Sequence, residues 1–439
     1  MPKLIQRTWW LALLFVLSAA PAVHAQLVIP IPEGSAAATP IAVVPMAYQG
    51  AGLPLDTDIS AVINADLNRS GQFNALSRTR IIEFPSRDTE VKFETWNFLK
   101  QDYLLVGRVL DAEGGTLRVE FELFDVAKKQ RLLAQAVGAR TSSLRATAHQ
   151  IADIVYEKIT GVRGAFSTRI AYVTQRGTPP KLNYSVMVAD SDGYNPVSVI
   201  SWTTPFLSPA WSPDGRKLAY VSFERGNSAI YIHELTTGKR DMIASYRGIN
   251  GAPAFSPDGS KLAMTLSQTG NPEIFVMDLA TRRTTQLTRH YAIDTEPVWT
   301  HDGQSIIFTS DRAGKPQLYQ IPAAGGEPTR ITFQGEYNAR ATLAKDSKVI
   351  AMAQGNKNVY RIAVLDRSRG GAGEQILLSP GNLDESPSFA PNGSMILYAA
   401  REDKRDVLYA VSADGRVRQR LVLADGDVRS PAWSPFRQR

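Results

Sequence analysis

The chain has 439 residues, of which 44% are hydrophobic and 21% are charged, proportions close to globular averages that exclude wholesale disorder and a multi-span membrane protein. The formal net charge is +7, and the basic residues are scattered, so neither a basic tract nor an aromatic-basic stripe points to nucleic acid. The chain contains no cysteine, which excludes thiol catalysis, disulfide bonds and cysteine-ligated metal sites.

Residues 1–25 have the pattern of a secretory signal peptide. Lys3 and Arg7 form a positive region, an uninterrupted apolar run follows at Trp9–Leu17, and Ala25 ends a small-residue cleavage site. An uncleaved membrane anchor is the alternative, but the run is shorter than the ~20 residues that a spanning helix needs. The sequence therefore predicts export with cleavage and no direct membrane span. A bacterial periplasm suits an exported protein without cysteine.

The segment that follows, residues 26–40, contains three prolines and a tract of small residues, which argue against a packed helix. Its first part is nevertheless too apolar for an inert linker. Two interpretations remain open: a segment that switches between packing on the protein's own surface and strand addition to a partner, or an ordinary mobile terminus. The sequence thus predicts a mobile amino-terminal segment.

A small α/β domain is predicted over residues 41–163. Apolar and polar residues alternate in its middle strands, which predicts a sheet with one solvated face. Thr57 or Asp58 is expected to cap the first helix, and Gly161 to end the last one. The predicted elements are, in chain order, a strand at 41–44, helices at 58–67 and 93–100, strands at 103–110, 117–124 and 132–137, and a helix at 144–159.

The remainder of the chain is built from repeats. The string Pro209-Ala-Trp-Ser-Pro-Asp-Gly215 returns with changes at 253–259, 297–303, 341–347 and 387–393, and truncated at 431–435. Successive copies are 44 residues apart, except for one interval of 46. Each full unit combines a Ser-Pro-Asp-Gly type of turn with four short β-rich runs, the pattern of one propeller blade. The sequence predicts an all-β six-bladed propeller over residues 166–439 rather than a linear β-solenoid.

The repeats also predict how the ring closes. The first set of strands, which begins at Arg169, lacks an innermost strand, and the last unit, Ser430–Pro435, consists of nothing else. A carboxyl-terminal strand that completes the first set would remove the exposed edge of an open array. We therefore expect the propeller to be closed by the carboxyl-terminal strand.

No catalytic motif emerges from the histidines, glycines and acids of the chain. The H-E-x-x-H, G-x-S-x-G and P-loop patterns are absent from the sequence. Asp214, Asp258, Asp302 and Asp346 fall on one face of successive blades, but the Ser-Pro-Asp-Gly turn accounts for them without a metal ion. The sequence therefore predicts no enzymatic activity, no cofactor and no metal site.

The loops that enter the innermost strands are predicted to form a recognition surface. They share one face with the loops between second and third strands, because neighbouring strands are antiparallel. Varied polar loops on a rigid scaffold are typical of binding sites. The predicted entry loops lie at 248–252, 292–296, 335–338, 381–386 and 425–429.

The repeats, the six predicted blades and the exported α/β domain ahead of them resemble the TolB family of the Tol–Pal envelope system of Gram-negative bacteria. Asp294-Thr-Glu-Pro-Val-Trp299 and the closing Trp433-Ser-Pro-Phe436 strengthen this resemblance, which spans the whole chain. It implies a non-enzymatic periplasmic adaptor whose propeller binds the Pal lipoprotein and whose amino terminus binds TolA, in support of outer-membrane integrity and cell-division constriction. Members of the family are also bound by bacteriocins that mimic Pal.

The resemblance further implies where the partners bind. A second hypothesis of a different class stays open, a hydrolase-associated propeller that binds a peptide or a glycan in its central funnel. The residues predicted for Pal at the propeller mouth are Ile249, Asn250, Ala252, Asp294, Thr295, Glu296, Asn338, Asp384 and Glu385. The residues predicted for TolA are Gln26, Leu27, Val28, Ile29, Ile31 and Glu33.

Overall fold

The fold comes from a computed structural model that describes residues 38–52, 54–421 and 426–437. Within those ranges, no helix is both long enough and apolar enough to cross a membrane. The predicted signal peptide lies outside the described residues, and so do the predicted TolA-binding residues Gln26, Leu27, Val28, Ile29, Ile31 and Glu33.

The first domain is a mixed sheet with helices. The sheet order is β3-β1-β4-β5-β6, and β2 adds to β4. Strand β1 is parallel to both β3 and β4, whereas β4, β5 and β6 form an antiparallel meander. The elements are Thr39–Val43 (β1), Ala47–Tyr48 (β2), Ile59–Arg69 (α1), Phe73–Ala75 (β3), Phe93–Phe98 (α2), Tyr103–Ala112 (β4), Thr116–Asp125 (β5), Gln130–Ala139 (β6) and Leu144–Thr160 (α3).

Local sequence signals set the ends of the two long helices. Asp58 caps α1, and its carboxylate accepts a hydrogen bond from the Ala61 N–H at 3.0 Å. Helix α3 ends at Gly161, which adopts a left-handed φ of 75°. Both helices bury their apolar stripes against one face of the sheet.

The prediction that the other face of the sheet is solvated is wrong at one end. There, Ile81 and Trp96 pack with Leu104 and Val106 of β4 in a second apolar cluster. Burying these side chains removes apolar surface from water and so stabilises the fold. Tertiary packing therefore covers part of a face that the alternating pattern of the strands predicts to be solvated.

The second domain consists of six four-stranded antiparallel sheets. The strands ahead of the first full repeat are Arg169–Thr178 (β7), Lys181–Asp190 (β8) and Val197–Trp202 (β9). Blade 1 contains Phe206–Trp211 (β10), Lys217–Ser222 (β11), Ala229–Glu234 (β12) and Arg240–Ala244 (β13). Blade 2 contains Asn250–Phe255 (β14), Lys261–Leu266 (β15), Glu273–Asp278 (β16) and Thr284–Gln286 (β17).

The next three blades repeat this plan. Blade 3 contains Asp294–Trp299 (β18), Ser305–Ser310 (β19), Gln317–Pro322 (β20) and Thr329–Arg330 (β21). Blade 4 contains Tyr337–Leu343 (β22), Val349–Asn356 (β23), Val359–Asp366 (β24) and Glu374–Leu377 (β25). Blade 5 contains Glu385–Phe389 (β26), Met395–Glu402 (β27), Arg405–Ser412 (β28) and Arg418–Arg420 (β29).

Blade 6 joins two distant parts of the chain. Its innermost strand, Asp427–Trp433 (β30), pairs with β7, so the order of the sheet is β30-β7-β8-β9. The Trp433 indole N–H donates a hydrogen bond to the hydroxyl of Thr168 at 2.7 Å. The innermost strands of neighbouring blades contact one another all the way round the ring. The predicted closure by the carboxyl-terminal strand is confirmed.

Each innermost strand carries a bulge at the same level. A register shift and a residue with positive φ, such as Ala252 at 47° or Arg340 at 57°, mark every bulge. In five blades proline follows, and because proline has no N–H, no backbone donor is left unpaired there. The bulges line a central channel of about 150 Å³, formed by Ser208, Ala252, Glu296, Arg340, Ser386, Ser430 and the residue after each.

The α/β domain packs on the propeller face that carries the repeat turns. The side-chain amide of Asn392, in the turn of blade 5, donates to the Arg163 carbonyl at 3.1 Å. Arg69 of α1 donates to the Ser191 hydroxyl, between β8 and β9, at 2.8 Å. The opposite face of the propeller is therefore left uncovered by the first domain.

Candidate docking face of the propeller

The uncovered face includes the entry loops of blades 2 to 5, which we call the mouth. The first residue of each innermost strand lies beside the end of the second strand, as Asn250 does with Leu266 and Asp294 with Ser310. The predicted arrangement of loops therefore holds in the structure. The mouth comprises residues 245–249, 287–293, 331–336 and 378–384.

Four polar residues at equivalent positions hold the mouth in place from inside. The Asn250 side chain accepts from the Tyr246 N–H at 2.8 Å and donates to the Tyr246 carbonyl at 2.7 Å, so it clamps its own loop. Asp384 accepts from the Gly381 N–H at 3.0 Å in the same way. The four side chains are at most 1% exposed: Asn250, Asp294, Asn338 and Asp384.

The blade 3 clamp is charged. Arg312 donates from Nη2 to both carboxylate oxygens of Asp294, at 2.9 and 2.7 Å. Such charge-assisted hydrogen bonds are stronger than neutral ones, and they compensate a carboxylate that is fully withdrawn from water. These contacts make the clamp residues positioning groups, since a partner on the surface cannot reach their side chains.

The residue before three of these clamps is a large aliphatic residue that faces solvent. Ile249 is 51% exposed, Ile293 is 47% exposed and Leu383 is 49% exposed. Tyr291, on the loop of Ile293, is 86% exposed, and Phe333, on the remaining loop of the mouth, is 59% exposed. The mouth thus presents apolar side chains on loops that buried hydrogen bonds hold still, which favours docking of a partner without a large ordering cost.

The mouth opens into the channel past a charged network. Arg340 donates from Nε to Glu296 at 3.0 Å and lies 3.8 Å from the half-exposed carboxylate of Glu385. Burial opposes the charge of Arg340, but Glu296 and Glu385 outweigh it and raise the pKa of its guanidinium. The predicted residues Ala252 and Glu296 line the channel wall.

Thr295 holds a position between the mouth and the channel. It is half-buried on β18, and its hydroxyl lies 3.2 Å from that of Thr265 in the neighbouring blade. The structure therefore gathers all nine predicted mouth residues at one end of the propeller, but only Ile249 among them exposes a large apolar side chain.

Sequence reasoning missed several residues of this face. Ile293 lies 44 residues after Ile249, at the same position of the repeat, and Leu383 lies at that position two blades later. Their shared position in the repeat could therefore have identified them from the sequence. Arg340, in contrast, breaks the repeat, since the other bulges carry Ser, Ala or Glu.

The described residues include one group with metal-ligand chemistry, Asp66, His149 and Asp192, at the contact between the domains. His149 Nδ1 lies 2.6 Å from Asp66, a hydrogen-bond distance that leaves no room for an ion between them. Arg69 and Arg145 pair with the two carboxylates. Burial alone would raise the pKa of Asp192, but these charged neighbours lower it. The group is an ionic network that joins the domains.

Comparisons with known proteins agree with this architecture. Residues 27–132 match the TolB amino-terminal domain, and residues 156–437 match the TolB beta propeller domain. The Tol-Pal system protein TolB of Xanthomonas oryzae pv. oryzae is 67% identical over 98% of both chains. The chain belongs to the TolB family. The resemblance drawn from the repeats is thereby confirmed, and the chain is a Tol–Pal system protein.

Other relatives support the same assignment. The TolB protein of Xanthomonas campestris pv. campestris is 66% identical, again over 98% of both chains. The crystal structure of TolB from Acinetobacter baumannii is similar with a TM-score of 0.83 and 41% identity, over 91% of this chain and 97% of that one. No catalytic activity is part of these relatives' names.

Proposed function

We propose that this TolB-family protein is a non-enzymatic periplasmic adaptor that binds the Pal lipoprotein at the mouth and TolA through its amino-terminal segment. In this role it supports outer-membrane integrity and cell-division constriction, and bacteriocins that mimic Pal compete for the mouth. Membership of the Tol–Pal system supports the partners, and the geometry of the mouth supports the site for Pal.

The observation that carries the proposal is the pairing of exposed with buried residues in the mouth. Ile249, Ile293 and Leu383 each precede a buried clamp residue and face solvent. Because the loops are fixed before a partner arrives, docking costs little conformational entropy. Hot spots of interfaces are often such anchors near the centre of a patch, and the channel entrance marks that centre.

The size of the channel disfavours a ligand-binding propeller. Small-molecule sites usually enclose about 300–1,000 Å³, whereas the channel encloses about 150 Å³. Its wall is also bridged by the ion pair between Arg340 and Glu296. A protein docked over the mouth would not need to enter the channel.

The mouth is tested by calorimetric titration of the purified protein with the soluble domain of Pal. Ile293→Arg places a charge at the exposed centre of the mouth, and we expect affinity to fall by at least about 30-fold, the effect of losing a hot spot. Phe98→Arg, an exposed residue of α2 on the first domain, is the matched control and should leave affinity unchanged. Thr295→Arg should also abolish binding, but it changes a half-buried position.

Unchanged affinity in both Ile293→Arg and Leu383→Arg, with unaltered melting temperatures, would rule out the mouth as the Pal site. The TolA assignment is tested separately by deleting residues 26–33. We expect this deletion to abolish TolA binding and to leave Pal binding intact. Retention of TolA binding would show that TolA uses another part of the protein.

A further inference from the structure

The junctions between blades share one structural position that varies in charge around the ring. The first residue of a third strand, or its equivalent, faces the clamp of the next blade, as Gln317 faces Asn338 with 2.9 Å between Oε1 and Nδ2. The two residues of each pair are 21 positions apart in the sequence, or 23 positions in the last pair. The pairs under the mouth are Ala229 with Asn250, Glu273 with Asp294, Gln317 with Asn338, and Arg361 with Asp384.

Only one of these four pairs joins two acids. Glu273 is 3% exposed and Asp294 is 0% exposed, and their carboxyl groups lie within hydrogen-bonding reach. Two facing carboxylates cannot both be charged there at low cost, because like charges repel strongly where water is excluded. A single proton between them turns the repulsion into a hydrogen bond.

Other groups around the pair fix where that proton sits. Arg312 donates hydrogen bonds to both oxygens of Asp294, so both already accept from a charged donor. Glu273 accepts hydrogen bonds from the Thr288 hydroxyl and the His290 N–H, both at 2.6 Å. The imidazole of His290 faces its own loop, where Nδ1 accepts from the Ala292 N–H. Glu273 is therefore the group that carries the proton.

The pKa of Glu273 agrees with this geometry. Burial raises the pKa of Glu273 above its ordinary value, the hydrogen bonds from His290 and Thr288 oppose this shift, and the charge of Asp294 adds to it. The adjacent blade supplies the neutral counterpart of the pair. There Gln317 accepts from the Thr332 hydroxyl at 2.8 Å and accepts from Asn338, with an amide in place of each acid.

We propose that Glu273 is a positioning residue of the mouth, and that its shared proton with Asp294 makes docking of a partner depend on pH. This inference rests on the proposed function. When the proton is present, the hydrogen bond from Glu273 holds Asp294 in place. The adjacent loop, which carries Ile293 and Tyr291, is then held in place as well. When the proton is lost at higher pH, repulsion loosens the junction of blades 2 and 3, and the apolar anchor is held less firmly.

The test is a calorimetric titration of the full mature chain with the soluble domain of Pal between about pH 5 and about pH 8. We expect the Kd of the unaltered protein to rise about tenfold over this range, the equivalent of a one-unit pKa shift on docking. Glu273→Gln mimics the protonated acid, as Gln317 does in blade 3, and should bind tightly without this dependence. His290→Asn should keep the dependence.

Equal pH profiles for the unaltered protein and Glu273→Gln would overturn the inference and leave the proposed function standing. Absence of Pal binding in both proteins at every pH would instead reject the proposed function. In that case infrared spectroscopy still shows whether Glu273 shares a proton with Asp294. We expect a protonated-carboxyl band that persists above the ordinary glutamate pKa, and its loss in Glu273→Gln. If this band does not differ between the two proteins, the inference is overturned.

Discussion

Closure of the propeller makes a strong prediction about the last strand. A chain that ends at Arg429 loses the pairing of Ala432 with Ala171 and of Trp433 with Ile170. It also loses the buried Trp433 indole, which is 7% exposed, at a cost of about 3–5 kcal/mol. Several hydrogen bonds go as well, including those of Ser434 with Arg169, at about 0.5–1.5 kcal/mol each.

The sum approaches the total stability of an ordinary domain, which is about 5–15 kcal/mol. We therefore expect the shortened chain to unfold at much lower urea concentration, followed by far-ultraviolet circular dichroism. Trp299→Ala is the matched control, because it removes an equally buried indole that donates to the Ala254 carbonyl but leaves every strand in place. A shortened chain no less stable than Trp299→Ala would refute the idea that β30 holds the ring together.

Two further predictions concern charged groups. The hydrogen bond from the Ser256 hydroxyl, and next that from the Ser260 hydroxyl, lower the pKa of Asp258 to about 2. The ionised carboxylate of Asp258 therefore stabilises the fold above the ordinary carboxyl pKa, and this stabilisation is lost as the pH falls towards 2. Ser256→Ala should raise this pKa in a nuclear magnetic resonance titration, and an unmoved titration would contradict the assignment. His149→Ala removes a buried hydrogen-bond partner of Asp66, which keeps Arg69, and should lower the free energy of unfolding by about 1–3 kcal/mol. Lys158→Ala on the exposed side of α3 should not lower it, and equal stabilities of the two variants would contradict the network.

Repetition explains why the propeller could be predicted so fully from the sequence. The interval of 44 residues fixes the register of each blade, and a repeat unit without its first strand at Arg169 demands the missing strand elsewhere. In the first domain, caps such as Asp58 and Gly161 gave the helix ends. The short strand β3 and the packing of Trp96 against β4 depend on distant residues, and no local pattern marks them.

The mouth was predicted less well, because residue type does not report burial. Asn and Asp usually lie at the surface, yet Asn250 and Asp294 are both fully buried. Asn250 forms hydrogen bonds with its own loop, and Asp294 pairs with Arg312. A polar side chain can be withdrawn from water when such partners are present. The contact of Asp66 with His149 inside the first domain could not be inferred either, since nothing in the spacing of the two residues brings their helices together.

The construction of blade 6 also restricts the order in which the protein can fold. Strands β7, β8 and β9 come first among the propeller strands in the chain, but their inner edge stays unpaired until β30 packs against it. Until then this edge stays open for pairing with other chains, a hazard of large β proteins. Completion of blade 6 therefore removes a site at which another chain could add a strand.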